Sequence, residues 1–292
     1  MKQTEVTQPA VYTMDMAAYA ALREALGASD NAGSESNAKK SGTGSFAEPL
    51  GVAGFSLGEY AAYTAAGVIS SFEEGLDLVK IRALLMKEAG TDAGGNQRGT
   101  MAAGIGKREA VLELIQKARA DDVLEAVNFN SPTQTVVAGD VIAVERFSAL
   151  AAEDRGFGVK AIKLTVSGAF HSSLMKPAAE RLAEALKDFD FKDPSLPVYL
   201  NVTGGPYEDY EKIAIGSANA KVKAIMVCQM QSPVYWQQTI EAMASAGIET
   251  IIEVGPGKTL TGLVKKINPE LVALHVEDAE SMNETVDYMK GG

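Results

Sequence analysis

A five-residue turn set between two regular patterns constrains this chain most. Residues 49–55 form a short apolar run of strand character. Gly54-Phe55-Ser56-Leu57-Gly58 closes it, and from Ser56 onward Ala61, Ala62, Ala65 and Ala66 mark an alanine-rich helix. A strand that turns within one or two residues into a helix belongs to a mostly parallel sheet covered by helices. A serine on so tight a turn needs neighbours without bulk, and the N–H groups opening the next helix can hold an oxyanion. Gly-x-Ser-x-Gly in a strand–turn–helix setting is the nucleophile-elbow pattern.

The remainder of the chain continues the alternation. Residues 8–26 read as a helix, and 28–46, small, polar and aperiodic, as a mobile surface loop. Ser71-Phe72-Glu73-Glu74 matches a capping box and opens another helix. Residues 100–105, 123–129, 133–138 and 159–166 read as strands, and 107–119 and 141–154 as helices, with Asn130-Ser131-Pro132 as the turn of a hairpin. That order, β-α-β-β-α-β, is ferredoxin-like. It predicts an inserted subdomain at 98–167 within an α/β core formed by 1–97 and 168–292. In the second half, 172–187, 233–246 and 258–267 read as helices, and 197–202, 249–254 and 271–276 as strands, with a loop at Gly204-Gly205-Pro206.

Composition narrows the function. The chain has 292 residues, a net charge of -11 and one cysteine, Cys228. The acidic balance argues against nucleic acid as a partner. A lone cysteine excludes an internal disulfide and suits a reducing compartment. No apolar run approaches the ~18 residues of a membrane helix, and the first ten residues lack a signal-peptide core. The expectation is a cytoplasmic protein with no membrane partner, acting as a monomer.

If Ser56 is a nucleophile it needs a base, and the chain has two histidines. His171 stands at the exit of a strand pattern and the start of a helix, where the helix N-terminus disfavours imidazolium. His275 lies inside a short apolar strand, where it reads as packing. His171 is therefore the preferred base. Arg82 raises a separate question. Its helical neighbours Leu78, Val79, Leu85 and Met86 are all apolar, so its cation points from a buried face. A buried arginine needs an anion. Two readings stand: an internal salt bridge to an Asp or Glu, or a bidentate pair with a substrate carboxylate.

Two glycine motifs fail. Gly255-Pro256-Gly257-Lys258-Thr259 lacks the first glycine of a phosphate loop, and Gly104-Ile105-Gly106 lacks the third of a dinucleotide fingerprint. No group of His, Cys, Asp and Glu has metal-ligand spacing.

Taken in order, "GFSLGEYAAYTAAGVIS", an arginine 26 residues after the serine, "GTMAAGIG", "VNFNSPTQTVVAG", "SGAFHSSLMKPAAERL" and "EVGPGKTLTGL" resemble the malonyl-CoA:acyl carrier protein transacylases, from about residue 8 to about 275. The resemblance implies a hydrolase-like α/β core with a ferredoxin-like insertion. It implies Ser56 as acyl-accepting nucleophile, His171 as base, Arg82 as the partner of the malonyl carboxylate, and the Leu57 N–H as an oxyanion donor. Gln229 occupies the position whose main-chain carbonyl orients the histidine, and Asn128 and Asn130 line the cleft between subdomains. It implies malonyl-CoA as substrate, acyl carrier protein as partner, and no cofactor.

There are two departures. Phe55 stands where the family often has histidine. The family also begins with a strand and a Phe-Pro-Gly-Gln-Gly-Ser-Gln loop whose glutamine region completes the oxyanion hole, and no such stretch occurs here. Removing one oxyanion donor typically costs on the order of 10²–10³ in rate. Three other readings follow: a serine thioesterase or lipase-like hydrolase using His275 with Glu253, an inactive truncated transacylase serving as a binding module, and a start codon placed too late.

Overall fold

The computed structural model describes residues 3–28, 49–92, 94–211 and 216–291. All but the first residue of the loop expected at 28–46 lies outside them. In chain order the elements are α1 (Thr4–Ala25), β1 (Val52–Ala53), α2 (Gly58–Ala65), α3 (Phe72–Ala89), β2 (Gly99–Ile105), α4 (Arg108–Ala118), β3 (Leu124–Ser131), β4 (Gln134–Asp140), α5 (Val141–Glu153), β5 (Lys160–Lys163), α6 (Lys176–Ala185), β6 (Val198–Tyr199), α7 (Tyr207–Glu211), α8 (Ala218–Met230), α9 (Trp236–Ser245), β7 (Thr250–Val254), α10 (Thr259–Ile267), β8 (Val272–Val276) and α11 (Ala279–Met289). No described helix is long and apolar enough to cross a membrane.

The first helices form one packed layer around the serine turn. Gln8, Tyr12, Asp15 and Leu22 are buried along α1, at spacings that share one helical face. The Tyr12 ring stacks on Phe72 with centroids 5.6 Å apart, and its hydroxyl lies 2.9 Å from Thr64 Oγ1. Gly75 is required beneath it, because a Cβ there would fall 1.9 Å from the Tyr12 hydroxyl. Ser71 caps α3 as its sequence predicts, accepting from the Glu74 N–H at 3.1 Å. The return half of the box is displaced by one residue, since Glu74 accepts from the N–H of Ser70.

The β-α-β-β-α-β pattern builds one four-stranded antiparallel sheet, ordered β3-β4-β2-β5. β2 pairs with β4 over its full length, Gly99 opposite Asp140 through Ile105 opposite Gln134. One face is closed by α4 and α5 through Val111, Leu114 and Phe147. The other face carries Met101, Val127 and Val136 against Ala169 and Leu174. That second face matters for function, because it buttresses the segment bearing His171.

The core strands are parallel, as expected, but they form two separate pairs. β1 pairs with β6 and β7 with β8. β6 is shorter than the predicted 197–202, because the chain turns after Tyr199: Leu200 donates to the Gly205 carbonyl and accepts from the Gly204 N–H. The helix expected at 172–187 breaks into α6 flanked by short 3-10 turns at 173–175 and 186–188. Two substantial helices escape the periodicity reading. In α8, Val227 and Cys228 are half-buried beside the buried Val222, Ile225 and Met226, so no polar stripe marks an outer face. α11 begins at Asp278, whose carboxylate and Ser281 form a reciprocal capping box.

Candidate active site

Ser56 sits where β1 ends and α2 begins, with φ of 53°. This left-handed conformation is uncommon for a residue with a side chain, and the surrounding contacts hold it. Gly54 lets the strand end press against the helix start, since a Cβ there would lie 1.8 Å from the Gly58 carbonyl carbon. Gly58 itself has open space around its Cβ direction, so only the first glycine of the motif is sterically required. This corrects the expectation that both neighbours must lack bulk. Phe55 packs edge-on to Trp236 at 5.5 Å.

His171 and Arg82 converge on the serine. Ser56 Oγ lies 2.7 Å from His171 Nε2, and Arg82 Nη2 donates to the same oxygen at 2.9 Å. His171 Nδ1 is 3.0 Å from the Gln229 main-chain carbonyl. A carbonyl only accepts, so Nδ1 carries the proton and Nε2 presents its lone pair to the serine hydroxyl. His171 is 3% exposed and has φ of 64°. Burial, and then the Arg82 charge, hold its imidazole down from 6.5 to about 4. The neutral imidazole thus owes its form to desolvation and a cation, not to a helix N-terminus as the sequence suggested.

Arg82 is 1% exposed. Its Nη1 donates to Gln8 Oε1 at 2.5 Å, its Nη2 also reaches Gln229 Oε1 at 3.3 Å, and its guanidinium lies over the Tyr60 ring at 5.4 Å. The internal salt bridge left open by the sequence is absent among the described residues: no carboxylate forms an ion pair with Arg82. Its Nε is buried without a partner. Its hydrogen bonds go to neutral oxygens, and the buried Glu59 carboxyl acts on it only through space, so its donors are not tied up by a carboxylate.

Three further residues shape the turn and were not legible in the sequence. Asn201 Nδ2 donates to the Gly54 carbonyl and Asn201 Oδ1 accepts from the Ser56 N–H, both at 2.6 Å. Glu59, fully buried, accepts from the Asn201 N–H at 2.7 Å and from the Tyr63 hydroxyl at 2.9 Å. Burial pushes the Glu59 carboxyl up to about 7 against those bonds. Gln8 is the third, through its bond to Arg82. Only a residue's position after a strand or on a helix face hints at such partners; their pairing spans up to 147 residues of chain.

The remaining expected residues fall as follows. The Leu57 N–H enters no backbone hydrogen bond of the turn, whereas the next three N–H groups bond back to Phe55, Ser56 and Leu57. Gln229 also donates from Nε2 to the Ser56 carbonyl at 2.9 Å. Asn128 and Asn130 lie buried on β3, each with its Oδ1 unpartnered, and neither is bonded to Ser56, His171 or Arg82. The rival residues Glu253 and His275 stand opposite each other on β7 and β8 but are not bonded to each other. Glu253 is filled by the Leu260 and Thr261 N–H groups and the Thr261 hydroxyl, while His275 lies 3.6 Å from Glu277.

Comparison with known proteins agrees with this geometry. Residues 36–284 match the family model described as acyl transferase domain. The malonyl CoA-acyl carrier protein transacylase of Haemophilus influenzae is 38% identical over 83% of this chain and 73% of its own. That of Escherichia coli K12 is 36% identical over 97% of this chain and 80% of its own. The crystal structure of an acyl-carrier-protein S-malonyltransferase from Burkholderia pseudomallei superposes with a TM-score of 0.80 at 37% identity, covering 97% of this chain and 81% of that one. A malonyl-transacylase solved in complex with its type II polyketide acyl-carrier protein gives 0.80 at 32% identity, over 98% and 82%. With a serine, a neutral histidine and an unpaired arginine meeting at one turn, this chain is an acyltransferase and belongs to the acyl transferase family that includes the malonyl CoA-acyl carrier protein transacylases.

Proposed function

We propose that the protein carries a malonyl group from malonyl-CoA to the phosphopantetheine thiol of acyl carrier protein by way of a malonyl ester on Ser56. The observation that carries this reading is the meeting of His171 Nε2 and Arg82 Nη2 on one serine oxygen. The base makes that oxygen a nucleophile, and the unpaired cation beside it selects an acyl group that brings its own carboxylate.

The steps balance as follows. His171 Nε2 takes the Ser56 proton as Oγ attacks the thioester carbon. The oxyanion that forms is met by the Leu57 N–H. The C–S bond breaks, the CoA sulfur leaves with the proton from His171, and the malonyl-serine ester remains. The carrier thiol then gives its proton to His171 and attacks the ester carbon. Ser56 leaves and recovers the proton. The Gln229 carbonyl orients the imidazole and stabilises its transient charge. We assign the buried, unpartnered oxygens of Asn128 and Asn130 to the amides of the pantetheine arm. A cytoplasmic setting suits the single cysteine.

Incubation with malonyl-CoA and intact-mass measurement tests the reading. A malonyl adduct is expected, and Ser56→Ala loses it. A folded wild-type chain that takes up no malonyl group refutes it.

A further inference from the structure

His171 lies in an irregular stretch between β5 and α6 with φ of 64°, and a residue with a side chain stays in that conformation only where its surroundings hold it. Its ring is anchored by the Gln229 carbonyl at 3.0 Å. Its main chain is anchored from the other direction, by one side chain of the four-stranded sheet. Glu125 on β3 accepts from the Ser173 N–H through Oε2 at 2.8 Å and from the Ser173 hydroxyl through Oε1 at 2.7 Å. Both carboxylate oxygens are spent on the residue two places beyond His171. Among the described residues these are the only hydrogen bonds between 99–163, which build that sheet and its helices, and 168–175.

The carboxylate has no other partner among the described residues: no cation pairs with it and no other donor reaches it. The strand that bears it is itself fixed. The Val127 carbonyl accepts from the Val234 N–H at 2.8 Å, and the Phe129 N–H donates to the Val234 carbonyl at 2.9 Å. Leu124 and Ala126 pack toward α4 and α5, so Glu125 between them points from the opposite face. On that face Met101, Val127 and Val136 meet Ala169 and Leu174, which bracket His171 and Ser173 in the chain. Apolar contacts are non-directional and leave a segment free to rotate or slide by a fraction of an ångström. The two hydrogen bonds from Glu125 are directional and remove that freedom.

We infer that Glu125 is a positioning residue for the base: by gripping Ser173 it keeps His171 Nε2 at its 2.7 Å distance from Ser56 Oγ. The inference rests on Ser56 and His171 acting as nucleophile and base, as proposed above, and not on which acyl group they carry.

The test is the rate at which Ser56 reacts, read by intact mass with two reagents. A fluorophosphonate forms an Oγ–P bond as fluoride leaves and His171 takes the proton, and it needs no malonyl group. Single-turnover acylation by malonyl-CoA is followed beside it, each variant held well below its own Tm. With Glu125→Ala the maximal rate should fall about tenfold with both reagents, inside the roughly 10²-fold that a 1 Å misplacement costs. The half-saturating malonyl-CoA concentration should stay within about twofold, because the substrate contacts are untouched. Ser173→Ala loses the hydroxyl contact and keeps the N–H contact, so about a threefold loss is expected. Adding it to Glu125→Ala should cost nothing more. Glu125→Gln can still accept from the Ser173 N–H and donate to its hydroxyl, and should restore most of the rate.

Unchanged maximal rates in Glu125→Ala and Ser173→Ala overturn the inference. So does a loss that Glu125→Gln does not restore, or one carried by the half-saturating concentration alone. A chain that reacts with the fluorophosphonate and not with malonyl-CoA refutes malonyl transfer, and the fluorophosphonate rates then decide the role of Glu125 by themselves.

Discussion

Asn201 holds the main chain at Ser56 from both sides. It donates to the Gly54 carbonyl and accepts from the Ser56 N–H, each at 2.6 Å. These bonds stabilise a left-handed serine at the end of a strand only two residues long. Asn201→Ala leaves two backbone groups without partners, at about 1–3 kcal/mol each. Thermal denaturation should show that loss, and the rate of Ser56 acylation should fall at least about 100-fold as the oxygen drifts from His171. A variant with wild-type acylation and stability would show that the turn does not depend on Asn201.

Arg82 should set which acyl group is loaded. With Arg82→Ala the preference for malonyl-CoA over acetyl-CoA should fall about 10–100-fold, the worth of hydrogen bonds to a charged group. Competition between the two thioesters, read by intact mass, measures it. An unchanged ratio would remove the carboxylate role from Arg82.

The acid limb of the reaction should lie far below that of an ordinary histidine. The folded imidazole is held at about 4, so Nε2 keeps its lone pair as pH falls through 6.5. The kcat/KM for malonyl-CoA should stay level to about pH 5 and decline toward 4. A midpoint near 6.5 would contradict the buried, Arg82-facing environment.

Glu59 links folding stability to pH in the opposite sense from a salt-bridged acid. Its carboxyl is about 7 folded against 4.5 in the open chain. The folded state therefore holds a proton that the unfolded state releases between those values. The stabilising contribution is complete below pH 4.5, is lost as pH rises to about 7, and is flat above. Asp15 acts in the same window, and His171 works the other way between 6.5 and 4. The difference in Tm between wild type and Glu59→Gln isolates Glu59: it should shift against the wild type between pH 4.5 and 7. A constant difference across that range would mean Glu59 titrates normally.

The two motif glycines should respond differently to alanine. Gly54→Ala places a Cβ inside the Gly58 backbone and should abolish acylation or folding. Gly58→Ala meets nothing within 4 Å at the first turn of α2. It should keep activity and gain up to about 1 kcal/mol from helix propensity. Equal losses for the two would refute the steric distinction.

The sequence by itself determined most of the local elements, though not α8 or α11, and the identity of the chemistry. Alternation of apolar residues gave β2 through β5 and the helices between them, because their periods of two and 3.6 are properties of neighbours in the chain. Gly54 to Gly58, His171 and Arg82 were legible because a tight turn, a scarce base and a cation on an apolar helix face are each locally anomalous. The tertiary structure alone decided what lies across from them. It replaced the expected helix-end effect on His171 with burial and the Arg82 charge. It removed the salt bridge as an account of Arg82, brought Asn201 and Glu59 to the turn, and paired β1 with β6 and β7 with β8. Those outcomes depend on contacts between residues distant in the chain, and on which charges are taken from water together, and neither is written in the spacing of any one segment.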